Sequence, residues 1–149
     1  MSIVHETLKF TKTINAELSR VWEAFADPIQ RARWSVPMGE AMVYERAAFE
    51  VGGRDRYRCG SPESLDFVNI VDYSLIVPQS LIVYTETVTT SDQPLSAGVV
   101  TWSFTVSGDI TEVQLTSQVT SFVGDGMIEG NRNGHAKALN QLEEFVLDE

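Results

Sequence analysis

The sequence predicts an α+β fold: an antiparallel sheet of about seven strands covered by a long C-terminal helix, with two short helices after the first strand. Three patterns carry this. A period-two strand followed by an amphipathic helix opens the chain, short alternating runs separated by turn residues extend from about Met42 to Val123, and a helical apolar repeat closes it. The uninterrupted run of strands describes a meander.

Taken in order, Leu8 and Phe10 alternate with Thr7, Lys9 and Thr11, so residues 7–14 form a strand with one buried face. Asn15 is placed to cap a helix whose apolar residues Leu18, Val21, Trp22 and Phe25 fall at i, i+3, i+4 and i+7. Asp27-Pro28 ends that helix and opens a second, with Asp27 as N-cap and Pro28 at the first helical position, running to about Trp34. Six strands then fit between turn signals at Gly52-Gly53, Gly60-Ser61-Pro62, Pro78-Gln79, Ser91-Asp92-Gln93-Pro94 and Gly108-Asp109. Val100, Trp102, Phe104 and Val106 are expected to face inward, as are Val113, Leu115 and Val119. Ala138, Leu139, Leu142, Phe145 and Val146 repeat with helical spacing and supply the cover such a sheet needs. Gly126, Gly130, Asn131, Asn133 and Gly134 lower helix propensity by up to about 1 kcal/mol each, so this helix is expected to start late or bend.

The 149 residues, 43% hydrophobic, fit one domain over 1–149 that buries roughly 70% of its unfolded surface. A formal net charge of -10 repels phosphate backbones and anionic lipid, which argues against nucleic-acid and membrane partners. Arg31 with Arg33, and Arg54 with Arg56 and Arg58, are the places for a local basic patch. A single cysteine, Cys59, excludes an intrachain disulfide and a cysteine-rich zinc site. The N-terminus lacks the basic start and apolar run of a secretory signal, and no stretch reaches the ~20 apolar residues that span a bilayer; a cytoplasmic protein is expected.

The order strand, two helices, six strands, long helix resembles the START-like (SRPBCC) superfamily, and local motifs narrow it. Val21-Trp22-Glu23-Ala24-Phe25 before Asp27-Pro28 and Arg33-Trp34, the double glycine of Phe49-Glu50-Val51-Gly52-Gly53 before Arg54-Asp55-Arg56-Tyr57-Arg58, and Gly134-His135 with Leu139 and Leu142 are similar to the family named for the activator of the heat-shock-protein-90 ATPase, in its bacterial single-domain form. His135 stands where that pattern has tryptophan, and Asp55 where an aromatic is usual. The resemblance implies a helix-grip fold, with the curved sheet wrapped around the last helix and a tunnel or pocket between them. It implies no single reaction, since the superfamily includes lipid carriers, polyketide cyclases and co-chaperone domains.

A sheet curled round one helix leaves space that side chains fill or a ligand occupies. Trp22, Trp34, Tyr44, Tyr57, Tyr73, Trp102 and Phe104 are the candidate lining. Along the third strand Asp55, Tyr57 and Cys59 should face the cavity and Arg54, Arg56 and Arg58 the solvent. Asp55 and His135 then give the cavity a polar end, as a hydrogen-bonded pair that could bind a polar group or act as a general base. No metal centre or cofactor is expected: His5 and His135 are the only histidines and neither has ligand spacing. Nucleophile-elbow and phosphate-loop motifs are missing. The acidic end, Glu143-Glu144 through Asp148-Glu149, reads as a solvated face.

The leading function is binding of a small, largely apolar molecule without catalysis. The alternatives are a cyclase or hydrolase using His135 with Asp55, and a co-chaperone or other interaction domain with a chaperone partner. Dimerisation through a sheet edge or helix face is left open.

Overall fold

The computed structural model describes residues 2–148; Met1 and Glu149, in the N-terminal segment and the acidic tail considered above, lie outside the described residues. The elements are β1 (Val4–Ile14), α1 (Leu18–Ala26), α2 (Pro28–Trp34), β2 (Ala41–Arg46), β3 (Arg54–Gly60), β4 (Phe67–Val77), β5 (Leu81–Thr90), β6 (Gln93–Ser107), β7 (Ile110–Ser121) and α3 (Asp125–Leu147). The sheet is antiparallel throughout, in the order β1-β7-β6-β5-β4-β3-β2, so β1 and β2 are its edges. It is curved, and α3 lies against its concave face. Register shifts at Tyr44/Arg46, Tyr73/Leu75 and Val88/Thr89 leave one extra residue on β2, β4 and β6 respectively. Such bulges raise the local twist of the strands that carry them.

The core follows the alternation. Val100, Trp102 and Phe104 on β6 and Val113 and Leu115 on β7 are at most 4% exposed and cluster with Ala138, Leu139, Leu142 and Val146 of α3, while Val119, also buried, packs with Leu8 and Ile128 in a second cluster. Val106, expected inside, is 55% exposed, because it lies close to the Gly108 turn, beyond the reach of the helices. The α2 start is as expected: the Asp27 carboxylate accepts from Ile29 N at 2.9 Å and Pro28 is the first residue. The α1 start is not. Glu17, without a side-chain bond, is the N-cap in place of Asn15, because a turn with Ala16 N donating to Ile14 O at 2.9 Å uses residue 15 to leave the strand.

Two further expectations change. Arg54 pairs with Asp72 at 2.7 Å, and Arg56 and Arg58 share Glu45 at 3.0 and 3.7 Å, while Arg31 is buried, so neither arginine group forms a basic patch. The last helix neither starts late nor divides: α3 runs 23 residues from Asp125. At its glycines 126, 130 and 134 a Cβ would meet nothing within 4 Å, so no close packing demands them, and tertiary contacts elsewhere on the helix outweigh their poor propensity.

The double glycine is different. Gly52 has φ +81°, and a Cβ on Gly53 would sit 2.2 Å from Ala48 O. This close turn is fastened to β4 by Gly52 N donating to Tyr73 O at 2.9 Å and Tyr73 N donating to Gly53 O at 3.0 Å. Two substitutions therefore separate the two kinds of glycine. Gly130→Ala should stabilise the protein by about 0.5–1 kcal/mol, a rise of a few degrees in Tm, whereas Gly53→Ala should lower Tm. Thermal unfolding of the two variants beside the parent checks both signs.

Candidate functional site

Between α2, the inner face of β2–β6 and the middle of α3 lies a pocket of about 90 Å³. Its floor is the row of side chains that the pleat turns inward: Asp55 and Tyr57 on β3, Val71 and Tyr73 on β4, Tyr84 and Glu86 on β5, and Trp102 on β6. Arg31 and Trp34 of α2 close one side, and His135 and Ala138 of α3 the other. Of the nine residues expected to line a cavity, Trp34, Tyr44, Asp55, Tyr57, Tyr73, Trp102 and His135 do so.

Trp22 and Phe104 do not. They pack on each other with ring centroids 5.2 Å apart, Trp22 also meeting Phe49 at 6.0 Å, because α1 fills the space over the end of β6. Sequence reasoning missed Arg31, Tyr84 and Glu86. Arg31 precedes Trp34 by three residues and so shares its helix face, while Ile82, Tyr84, Glu86 and Val88 are one period-two row of β5.

One end of the pocket is a buried polar network. The Asp55 carboxylate, 1% exposed, accepts from Ala48 N at 2.8 Å and from the Tyr73 hydroxyl at 2.6 Å. That hydroxyl in turn accepts from Arg31 Nη1 at 2.5 Å. Arg31 Nη2 stands 3.3 Å from Asp55 Oδ2, close enough for charge attraction but outside hydrogen-bond geometry. The Tyr44 hydroxyl stands beside the guanidinium, whose charge and hydrogen-bonding reach it, although Arg31 Nε and Nη2 make no hydrogen bond of full geometry. The guanidinium is 5.0 Å from the Phe25 ring centroid, 5.3 Å from that of Tyr44 and 5.8 Å from that of Phe49. Burial alone would lower its pKa, but the oxygens of Tyr44, Tyr73 and Asp55 outweigh burial and leave it raised, so Arg31 is charged.

Glu86, Tyr57 and His135 also line the pocket. The Tyr57 hydroxyl donates to Glu86 Oε2 at 2.8 Å. Burial raises the Glu86 pKa against the opposing effect of that bond, and burial raises Tyr57 well above its ordinary value. Glu86 also borders a second space of about 10 Å³ shared with Ser96, Ser117 and Asn131. Burial pushes the His135 imidazole down to about 4, so it is neutral at pH 7; its ring centroid lies 6.0 Å from that of Phe10.

The expected Asp55–His135 pair is therefore replaced. Both residues line the pocket, but the oxygens of Asp55 are taken by Ala48, Tyr73 and Arg31, which leaves His135 without the carboxylate that would orient it as a base. The cavity is also more polar than expected. Cys59 accepts from Asn69 Nδ2 at 3.2 Å, and burial raises its thiol to about 11, so it is no nucleophile at neutral pH. Among the described residues no three His, Cys, Asp or Glu side chains stand together as a metal site, and no helix is long and apolar enough to cross a membrane.

The family model described as Activator of Hsp90 ATPase homolog 1-like protein matches residues 15–146. Among solved structures, the chain is similar to the Mll3558 protein of Rhizobium loti, with TM-score 0.86 and 29% identity over 97% of this chain and 99% of that one. A protein of Rhizobium leguminosarum follows at TM-score 0.86 and 24% identity, covering 99% and 98%. Protein CV1439 of Chromobacterium violaceum gives 0.81 and 22%, covering 94% and 96%. At these lower identities the likeness is one of fold. No curated protein matches.

Two measurements probe the site. Tyr73→Phe removes the hydroxyl that serves both Arg31 and Asp55 and should cost about 1–3 kcal/mol in urea unfolding, with the fold retained. His135 has a folded pKa below its unfolded value, so the unfolded chain binds the extra proton between about pH 6.5 and 4, and stability falls as pH drops through that window. The loss attributable to this residue is on the order of 3 kcal/mol. His135→Gln should flatten the acid limb of the stability curve by that amount, and an unchanged limb would refute the assignment.

Proposed function

The chain belongs to the family of activator of Hsp90 ATPase homolog 1-like proteins, and from that premise we propose that it is a binding protein for a small molecule held in the pocket between α2, the sheet and α3. The observation that carries the reading is the pocket itself. Space of about 90 Å³ persists where curved sheet and helices enclose it, among Trp34, Tyr44, Tyr57, Tyr73, Tyr84 and Trp102. Interiors are ordinarily packed to crystal density, so a polar-rimmed void in an aromatic core is a feature to be explained.

Its size sets the guest. An engineered cavity of roughly 150 Å³ admits benzene, so this one suits a short chain or a single ring held partly by movement of Met42 and Ser35 at the wall. Its lining sets the chemistry: rings supply apolar contact, while Arg31, Glu86 and the tyrosine hydroxyls favour a guest with a polar end over a pure hydrocarbon. The proposed guest is thus amphipathic.

Binding without turnover is favoured by the site's engagement. Asp55 and Tyr73 are committed to each other, and a neutral His135 with a pKa near 4 is a weak base.

The test uses thermal shift with small alcohols, phenols, carboxylic acids and hydrocarbons at millimolar concentration. A compound at ten times its Kd adds about 1.4 kcal/mol, enough to raise Tm by several degrees. Ala138, at the pocket wall and 4% exposed, offers the control. Ala138→Leu should fill the space, costing about 1–3 kcal/mol in overpacking, and abolish every shift seen with the parent. A parent protein whose Tm no compound moves would sink the reading.

A further inference from the structure

We propose that Arg31 is the recognition residue of the pocket and that the guest it takes is a carboxylate. The inference deepens the reading of the pocket as a binding site and rests on it. It stands on the uneven way in which the buried polar network is satisfied.

Arg31 is 4% exposed, faces the pocket and carries five N–H donors. The Tyr73 hydroxyl takes Nη1, while Nε and Nη2 make no hydrogen bond of full geometry, Nη2 having the Asp55 carboxylate at 3.3 Å and the Tyr44 hydroxyl lying alongside the group. An unsatisfied donor buried in a protein is costly, and more so on a charged group, so two on one guanidinium mark a place where a partner belongs. Nε and Nη2 form one edge of the planar fork, the edge that meets two oxygens of a carboxylate in parallel.

Charge points the same way. Asp55 is already served by neutral donors, the Ala48 amide and the Tyr73 hydroxyl, and meets Arg31 only at 3.3 Å without a formed bond. The positive charge is therefore less completely used than the negative one. Phe25, Tyr44 and Phe49 surround the guanidinium, which restrains it before any guest arrives. Glu86, elsewhere on the pocket wall, is partly buried and accepts from the Tyr57 hydroxyl, which weakens its repulsion of an anion at the arginine. The guest's carboxylate lies on Arg31 and its short apolar body on Trp34, Val71 and Trp102.

The experiment titrates the protein with butyrate and benzoate, each against its neutral amide, and with toluene, following amide and indole NMR signals of the pocket residues. The variants are Arg31→Lys, which keeps charge but not the fork, and Arg31→Met combined with Asp55→Asn, which removes both charges together so that no buried ion is left alone. The expected result is at least tenfold tighter binding of a carboxylate than of its amide by the parent, a preference cut to about twofold in the lysine variant and lost in the double variant. Equal affinity for acid and amide, or a preference that survives in the double variant, overturns the role of Arg31. If toluene and the amides still bind, the pocket reading survives that failure; if no probe moves the pocket signals of the parent, both fall.

Discussion

The constraint on which the structure turns is the burial of a charged arginine and a carboxylate inside a small aromatic core. Taking one such ion out of water costs several kcal/mol even after relaxation, and removing one partner from a buried pair costs about 3–5 kcal/mol. The chain meets this at Arg31 and Asp55 with converging devices from four separate segments: α2 brings the guanidinium, β3 the carboxylate, β4 the Tyr73 hydroxyl between them, and the segment before β3 the Ala48 amide. None of these contacts is local in sequence apart from Ala48. The network therefore exists only when α2, β3 and β4 are docked together.

That requirement explains the tight turn ahead of β3. Gly53 lets the chain fold back so closely that Ala48 O occupies the place of a Cβ, and the same fold-back presents Ala48 N to Asp55. Phe49, the next residue, is carried over Arg31 and against Tyr73, with ring centroids 5.1 Å apart in the second contact. Two backbone bonds to Tyr73 then fix the turn. One short segment thus joins backbone geometry, charge burial and aromatic packing. A side chain at position 53 would disturb all of them at once.

Much of the fold was legible because it rests on periods. Strand alternation placed Trp102, Leu115 and Val119 inside, and helical spacing placed Leu139 and Leu142 in the core that holds Trp102 and Leu115. The α2 start was legible because Asp27-Pro28 acts locally. Where reading failed, a distant element had decided the matter. Val106 obeys the alternation but lies past the helices, Asn15 is a good cap in a place where the strand exit needs a turn, and three glycines leave α3 unbroken because its opposite face is docked. At the site the inward direction of Asp55 and Tyr57 followed from the pleat, whereas the partner of Asp55 did not. Asp55 and Arg31 meet only through the docking of α2 on the sheet, which no spacing rule encodes, so the other unusual residue, His135, was an attractive but mistaken choice.

The residues at positions 55 and 135 have separate physical meanings. At position 55 a carboxylate points into the core, where the Tyr73 hydroxyl and Arg31 meet it, which makes one wall of the pocket polar. At position 135 an imidazole lines the pocket; its pKa falls through burial. Ala138, one helical turn on along α3, is small, and space remains beside it. The first residue supplies a polar anchor, and the helix face that carries the second leaves room. Either alone would give a weaker site: an anchor in a filled core has nothing to hold, and a void lined only by rings would not fix the orientation of its guest.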